Sequence, residues 1–263
     1  MYCEDCDERS FFHESTAYLT HFNPSLENPW CSHLIGIILM NVVYAATRNL
    51  YEQMMPSIIS LLDHNRVDTL YLVIEDDSFP YEIDANVRIL NMSHQTYFGP
   101  DCVNIHTRFT YMAMLRAVYA DFLDCDRVIS LDCDTIVNDS LLPIWEMDLE
   151  GKWFAAALEP YKTMLYRHSY FNLGVAVFNL AQMRKDEAVS KLVEMLNRDQ
   201  LPFVDQDALS SIYEKAVEMP CRYNETAFTG MTDNPAIVHY AAVPDWYTDR
   251  SVHRSEYLWR YKE

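Results

Sequence analysis

The stretch Arg127-Val128-Ile129-Ser130-Leu131-Asp132-Cys133-Asp134-Thr135-Ile136-Val137 restricts the fold more than any other part of the chain. A short apolar run closes on two carboxylates one residue apart, and apolar residues resume after them. In extended backbone, residues i and i+2 project to the same side, so Asp132 and Asp134 are expected to present their oxygens together. Strands that end in acids at the carboxyl edge of an open α/β sheet lie where such sheets bind ligands. Side-by-side carboxylates repel unless a proton or cation sits between them, and a divalent ion with oxygen ligands removes that repulsion. Taken by itself, Asp-x-Asp is equally an ordinary polar exit from a strand. The surrounding chain decides between the two.

Residues 34–46 read as a buried strand rich in β-branched side chains. Residues 51–65 carry Met55, Ile58, Ile59 and Leu62 at helical spacing, with Pro56 expected in the first turn. Residues 69–74 form a second strand, ended by Glu75-Asp76-Asp77, and 87–92 a third. Strand, helix and strand at this spacing make a βαβ unit, hence a parallel sheet with a right-handed crossover. A helix is expected over 107–123, delivering the chain to the Asp-x-Asp strand. Further strands are expected over 153–158, 171–180 and 236–240, with Gly174 where a backbone or ligand approaches closely. An amphipathic helix covers 181–197, and a shorter one, acidic in its first turn, covers 205–215.

The chain has 263 residues, enough for one large α/β domain with an appendage. Twenty Lys+Arg against 39 Asp+Glu give a formal charge of −19. That field repels nucleic acid and anionic membranes, so neither is expected as a partner. It also repels a phosphorylated substrate unless a bound cation inverts the local sign. The apolar stretch at 34–46 is too short and interrupted to span a bilayer, so no integral membrane segment is expected, and no basic-then-apolar leader opens the chain. Seven cysteines without framework spacing fit reduced thiols and a cytoplasmic location. Three parts are expected: an acidic N-terminal extension over 1–33, a domain over 34–248 whose folded part effectively begins near Met40, and a basic, aromatic tail over 249–263. Cys3-x-x-Cys6 with His13, Cys31 and His33 matches no standard zinc spacing.

Several fragments follow one another in a telling order. They are Val42-Val43-Tyr44-Ala45-Ala46-Thr47, Leu131-Asp132-Cys133-Asp134, Phe171-Asn172-Leu173-Gly174-Val175, Asp205-Gln206-Asp207 and Val238-His239-Tyr240. In this arrangement the chain resembles the family 8 glycosyltransferases, the group with lipopolysaccharide galactosyl- and glucosyltransferases and glycogenins. The resemblance runs from about Met40 to Trp246. It implies a GT-A type, Rossmann-like nucleotide-diphospho-sugar transferase fold with a mostly parallel central sheet. It also implies a UDP-sugar donor (UDP-glucose or UDP-galactose), Mn2+ or in its place Mg2+, and retention at the anomeric carbon.

The resemblance makes Asp132, Asp134 and His239 the metal ligands, a set that suits Mn2+. It places Ala45, Ala46, Thr47 and Asn49 at the nucleobase and ribose, with the backbone of Cys133 against the ribose. Asn172 and Gly174 match the Asn-x-Gly of the donor-sugar pocket, and Asp205 and Gln206 the Asp-Gln pair that contacts the transferred sugar. A neutral amide is a poor nucleophile, so Gln206 is expected to stabilise an oxocarbenium-like centre electrostatically. Three departures stand out. Thr47 replaces an acid common in the family, Arg116 comes one position late on its helix, and the C-terminal diphosphate lysine is absent after His239. Arg116 is expected to reach the diphosphate or donor sugar, and Arg250 or Arg254 to supply the missing cation from a tail folded over the donor.

Two other readings compete. Leu131-Asp132-Cys133-Asp134-Thr135 also resembles the first motif of haloacid-dehalogenase-type Mg2+ phosphatases, although a whole βαβ unit precedes it and no late Asp-Asp pair follows. The other is a non-catalytic nucleotide-sugar-binding protein that lost turnover with the lysine. The acceptor is unspecified by any of these residues.

Overall fold

A computed structural model of the chain describes residues 40–243. The expectations for residues 1–33, 34–39 and the tail, including Arg250 and Arg254, lie outside the described residues. The first strand, β1 (Met40–Ala46), leads through a 3-10 turn at Arg48–Leu50 into α1 (Tyr51–His64) and returns in β2 (Val67–Ile74). α1 starts at Tyr51 as expected, which puts Pro56, its sixth residue, in the second turn rather than the first. β2 pairs with β1 in parallel, as the βαβ reading requires, and β3 (Val87–Asn91) pairs with β2 in parallel.

The expected helix over 107–123 is broken. It consists of α2 (Tyr111–Met114), a 3-10 turn at Leu115–Val118 and α3 (Tyr119–Phe122). The tighter winding keeps Leu115, Arg116, Ala117 and Val118 all buried. There follow β4 (Arg127–Leu131), β5 (Thr135–Val137), α4 (Leu142–Trp145), β6 (Phe154–Leu158), α5 (Pro160–Tyr166) and β7 (Phe171–Asn179). The expected helix over 181–197 is two, α6 (Leu180–Lys185) and α7 (Ala188–Arg198), interrupted where Glu187 takes a positive φ of 53°. The chain continues through α8 (Val204–Ser210), β8 (Ala216–Glu218) and β9 (Ile237–His239). The expectation of one helix over 205–215 shortens to α8 plus a 3-10 turn at Tyr213–Lys215.

Among the described residues, seven strands form one sheet in the order β3-β2-β1-β4-β7-β6-β8, and β5 pairs with β9 in a second, two-stranded sheet. The large sheet is mostly parallel; only β7 runs against its neighbours β4 and β6. Both faces are covered. Val43, Tyr71, Val73, Val128 and Phe178 pack on the side of α2, α3 and α6 to α8, while Val42, Tyr44, Leu70, Leu72 and Ile129 pack on the side of α1 and α4. Burial on both faces is why these strands read as continuous apolar runs rather than alternating ones. No helix among the described residues is long and apolar enough to cross a membrane.

Chain direction gathers the candidate site residues at one edge. β1, β4 and β6 end there and the antiparallel β7 begins there, so Ala46, Leu131, Leu158 and Phe171 share that edge. The order reverses between β1 and β4, the point where open sheets leave a ligand crevice.

Candidate active site

β4 ends at Leu131, so Asp132, Cys133 and Asp134 lie in a turn, not in the extended backbone expected from their spacing. Asp132 N–H donates to the Gly174 carbonyl at 2.7 Å, and Thr135 Oγ1 donates to the Asp132 carbonyl at 2.9 Å. Thr135 Oγ1 is also 2.7 Å from Ser57 Oγ of α1, which tethers the turn to the first helix. The two acids converge because β5 turns away to pair with β9, with Thr135 opposite His239. His239 Nε2 then lies 3.2 Å from Asp134 Oδ1 and 3.7 Å from Asp132 Oδ2. The three ligand atoms all fall within 4.8 Å of one another, a geometry that can hold a metal ion.

The donor set passes a chemical test of fit. His239 Nδ1 is 2.8 Å from Asn224 Oδ1, an acceptor, so Nδ1 carries a proton and Nε2 is the nitrogen facing the carboxylates. Burial works against a charged His239, but the adjacent Asp134 overcomes it and raises the imidazole pKa. Burial would likewise raise Asp134, and His239 outweighs it and holds the carboxyl below its usual range. Imidazole and carboxylates thus face one another across a short gap, and a divalent ion held there would take the place of a shared proton.

Gly174 packs directly against the metal cluster. A Cβ built on it would lie 2.0 Å from Cε1 of His239, so the room its missing side chain leaves is filled by the imidazole. The opening comes from an irregularity in pairing: Ala156 faces Ala176 but Ala157 faces Asn172, so β7 bulges at Leu173 to Val175.

Arg116, in the 3-10 turn between α2 and α3, joins two sequence-distant acids. Its Nη2 donates to Asp132 Oδ1, and its Nη1 donates to Asp205 Oδ2 at 3.0 Å. Burial lowers the guanidinium pKa, but Asp132 and Asp205 more than offset that, so it stays charged. For Asp205 burial dominates over Arg116, and its pKa is pushed up to about 6. Asp205 and Gln206 occupy the first turn of α8, which starts at a strained Val204 with φ 37°. Asp207 is engaged locally: it accepts from Phe203 N–H at 2.7 Å and from the Tyr170 hydroxyl.

The remaining expected residues lie at the same edge. Thr47 Oγ1 donates to Asn49 Oδ1 at 2.6 Å just beyond β1. Ala46 is fully buried, whereas Ala45 is half-buried. Cys133 is buried, with its Sγ 3.8 Å from the Ala45 carbonyl. Asn172 donates through Nδ2 to Glu159 Oε1 at 2.8 Å, and Gln206 Nε2 reaches that same oxygen at 3.2 Å. The sequence reading missed Glu159 and Asn224. Glu159 had a signal, an acid directly after the apolar strand β6, like Asp132 after β4. Asn224, in a loop between short elements, had none.

The fold and this edge define the GT-A class of glycosyltransferases. Galactosyltransferase LgtC, solved in complex with donor and acceptor sugar analogues, superposes with a TM-score of 0.64 at 20% identity, over 83% of this chain and 94% of LgtC. Glycosyltransferase GlyE of Streptococcus pneumoniae TIGR4 gives 0.64 at 21% identity, over 85% of this chain and 60% of GlyE. More particularly, the chain belongs to glycosyl transferase family 8, whose sequence model matches residues 41–244. Glycosyltransferase GlyA of Streptococcus pneumoniae serotype 4 is 26% identical over 242 residues, covering 84% of this chain and 34% of GlyA. The probable glycosyl transferase Gly of Streptococcus gordonii is 26% identical over 214 residues, 76% of this chain and 31% of that protein. The chain thus spans about a third of the length of these two relatives. The phosphatase reading finds no support in these matches.

Proposed function

We propose that the domain is a retaining hexosyltransferase that moves a hexose from a UDP-sugar, UDP-glucose or UDP-galactose, to an acceptor. Mn2+ is its metal, with Mg2+ as the alternative, held by Asp132, Asp134 and His239. The observation that carries this reading is the convergence of those three side chains at the switch point of a family 8 domain. In a chain of charge −19 a sugar diphosphate needs a local positive field. When bound, the ion supplies that charge and offsets the charge gathering on the departing diphosphate. LgtC, which shares this fold and was solved with donor and acceptor sugar analogues, supports a sugar donor and a sugar acceptor here.

The chain's own residues then take these parts. Ala45 and Ala46 through their backbone, with Thr47 and Asn49, meet the nucleobase and ribose, and the backbone of Cys133 lies against the ribose. Arg116 holds Asp132 and Asp205 in register and turns its guanidinium toward the diphosphate. Asn172 and Asp205 contact the transferred sugar, while Gly174 serves the donor pocket by admitting the His239 ring. Gln206 faces the anomeric carbon and stabilises its developing positive charge with a neutral carbonyl oxygen. The leaving phosphate accepts the acceptor's proton on the same face, which gives retention.

The test is a panel of UDP-sugars with Mn2+, reading slow release of UDP. Asp134→Ala is expected to abolish release. Asp77→Ala, at an acid that accepts from Asn91 Nδ2 at 2.7 Å beyond β2, is expected to leave it within about twofold. Equal losses in the two variants would put the site elsewhere.

A further inference from the structure

A buried chain of hydrogen bonds runs from the metal cluster to Gln206 through Asn172 and through two residues outside the motifs named above, Glu159 and Asn224. Glu159 and Asn224 are 3% and 0% exposed, and Asn172 between them 5%. Glu159 Oε2 lies 3.0 Å from Lys162 Nζ, so its other oxygen, Oε1, is the acceptor shared by Asn172 Nδ2 and Gln206 Nε2. A carboxylate only accepts, which turns both amide nitrogens toward Glu159 and both amide oxygens away from it. Asn172 Oδ1 accordingly accepts from Gly174 N–H at 3.1 Å and from Asn224 Nδ2 at 2.9 Å. Asn224 Nδ2 donates as well to the Asn172 backbone carbonyl at 3.2 Å, a group that cannot reverse its polarity. Asn224 Oδ1 is thereby left facing His239 Nδ1 at 2.8 Å. The loop carrying Asn224 is itself knotted, since Thr229 Oγ1 donates to the Asn224 carbonyl and accepts from Thr226 N–H.

We propose that Asn224 is a positioning residue that fixes which ring nitrogen His239 offers to a metal ion, and that Asn172 and Glu159 extend it into a polarised relay ending on Gln206. This rests on the metal-site reading above. Each link has one allowed direction, so the relay holds a proton on Nδ1 at one end and leaves Nε2 as the nitrogen that a metal ion would take. At the other end it presents the Gln206 carbonyl, rather than its amine, away from Glu159. Partners of the non-ligating imidazole nitrogen orient the ring and are typically worth about 10–100-fold in metal affinity.

The experiment titrates the full chain with Mn2+ alone by calorimetry. Asn224→Ala is expected to weaken Mn2+ binding by about 10–100-fold, and Asp134→Asn to remove it. If Asp134→Asn binds as the parent does, the metal site itself is wrong. If Asp134→Asn loses binding while Asn224→Ala binds as the parent does, the relay alone is overturned. Should Asn224→Ala not fold, nitrogen-15 spectra of the Mg2+-loaded parent decide, with His239 identified by the signal missing in His239→Gln. A protonated Nδ1 and bare Nε2 are expected; the reverse tautomer overturns the proposal.

Discussion

At the scale of single residues, the site depends on one absent methyl group. Sequence pattern marked Gly174 as a place of close approach by backbone or ligand without naming the neighbour, which is His239, 65 positions further along the chain. Nothing in local spacing reveals a contact made across two separate sheets. Gly174→Ala is expected to push the imidazole off the Asp132–Asp134 pair, because a Cβ would meet the ring at 2.0 Å. Mn2+ affinity measured by calorimetry should fall at least about tenfold, the scale for a misplaced ligand partner. Asn224 shows the complementary limit. A lone asparagine between short elements carries no pattern, and its importance appears only when its oxygen is found 2.8 Å from Nδ1.

At the scale of elements, strands were legible and helix continuity was not. Strands β1, β2, β4, β6 and β7 are buried on both faces, so their apolar runs stand out whatever surrounds them. Helical periodicity, in contrast, runs through short breaks without a mark. At Arg116 the winding tightens to a 3-10 turn, from which the buried side chain bonds Asp132 and Asp205. The break between α6 and α7 is held by Asp186, which accepts from Trp153 Nε1 at 2.7 Å, Lys215 Nζ at 2.7 Å and Gln182 Nε2 at 2.7 Å. Those donors, Lys215 first, hold its carboxyl down at about 2. A depressed folded-state pKa stabilises above the unfolded value near about 4 and is lost as pH falls through the folded one. Asp186→Ala is therefore expected to lower the melting temperature at pH 7, with a smaller gap at pH 3. A gap equal at the two pH values would show that its charge plays no part.

At the scale of the whole molecule, the cluster joins the large sheet to the small one: Asp132 follows β4, Asp134 precedes β5, and His239 ends β9. An ion held there binds the folded state and not the unfolded chain. At a free concentration a hundred times its Kd it adds about 2.7 kcal/mol to stability. Mn2+ is thus expected to raise the melting temperature, chelation to reverse the rise, and Asp134→Asn to show neither effect. The amino-acid sequence by itself determined the α/β class, the βαβ start and the edge where the chemistry lies. Apolar runs closed by acids report burial on both faces and strand direction, which are local properties. Only the tertiary structure decided that a turn rather than a strand brings the aspartates together, that glycine admits the imidazole, and that Glu159 and Asn224 complete the network. Those contacts join segments remote along the chain, and their energetics depend on distances that no spacing of residues encodes.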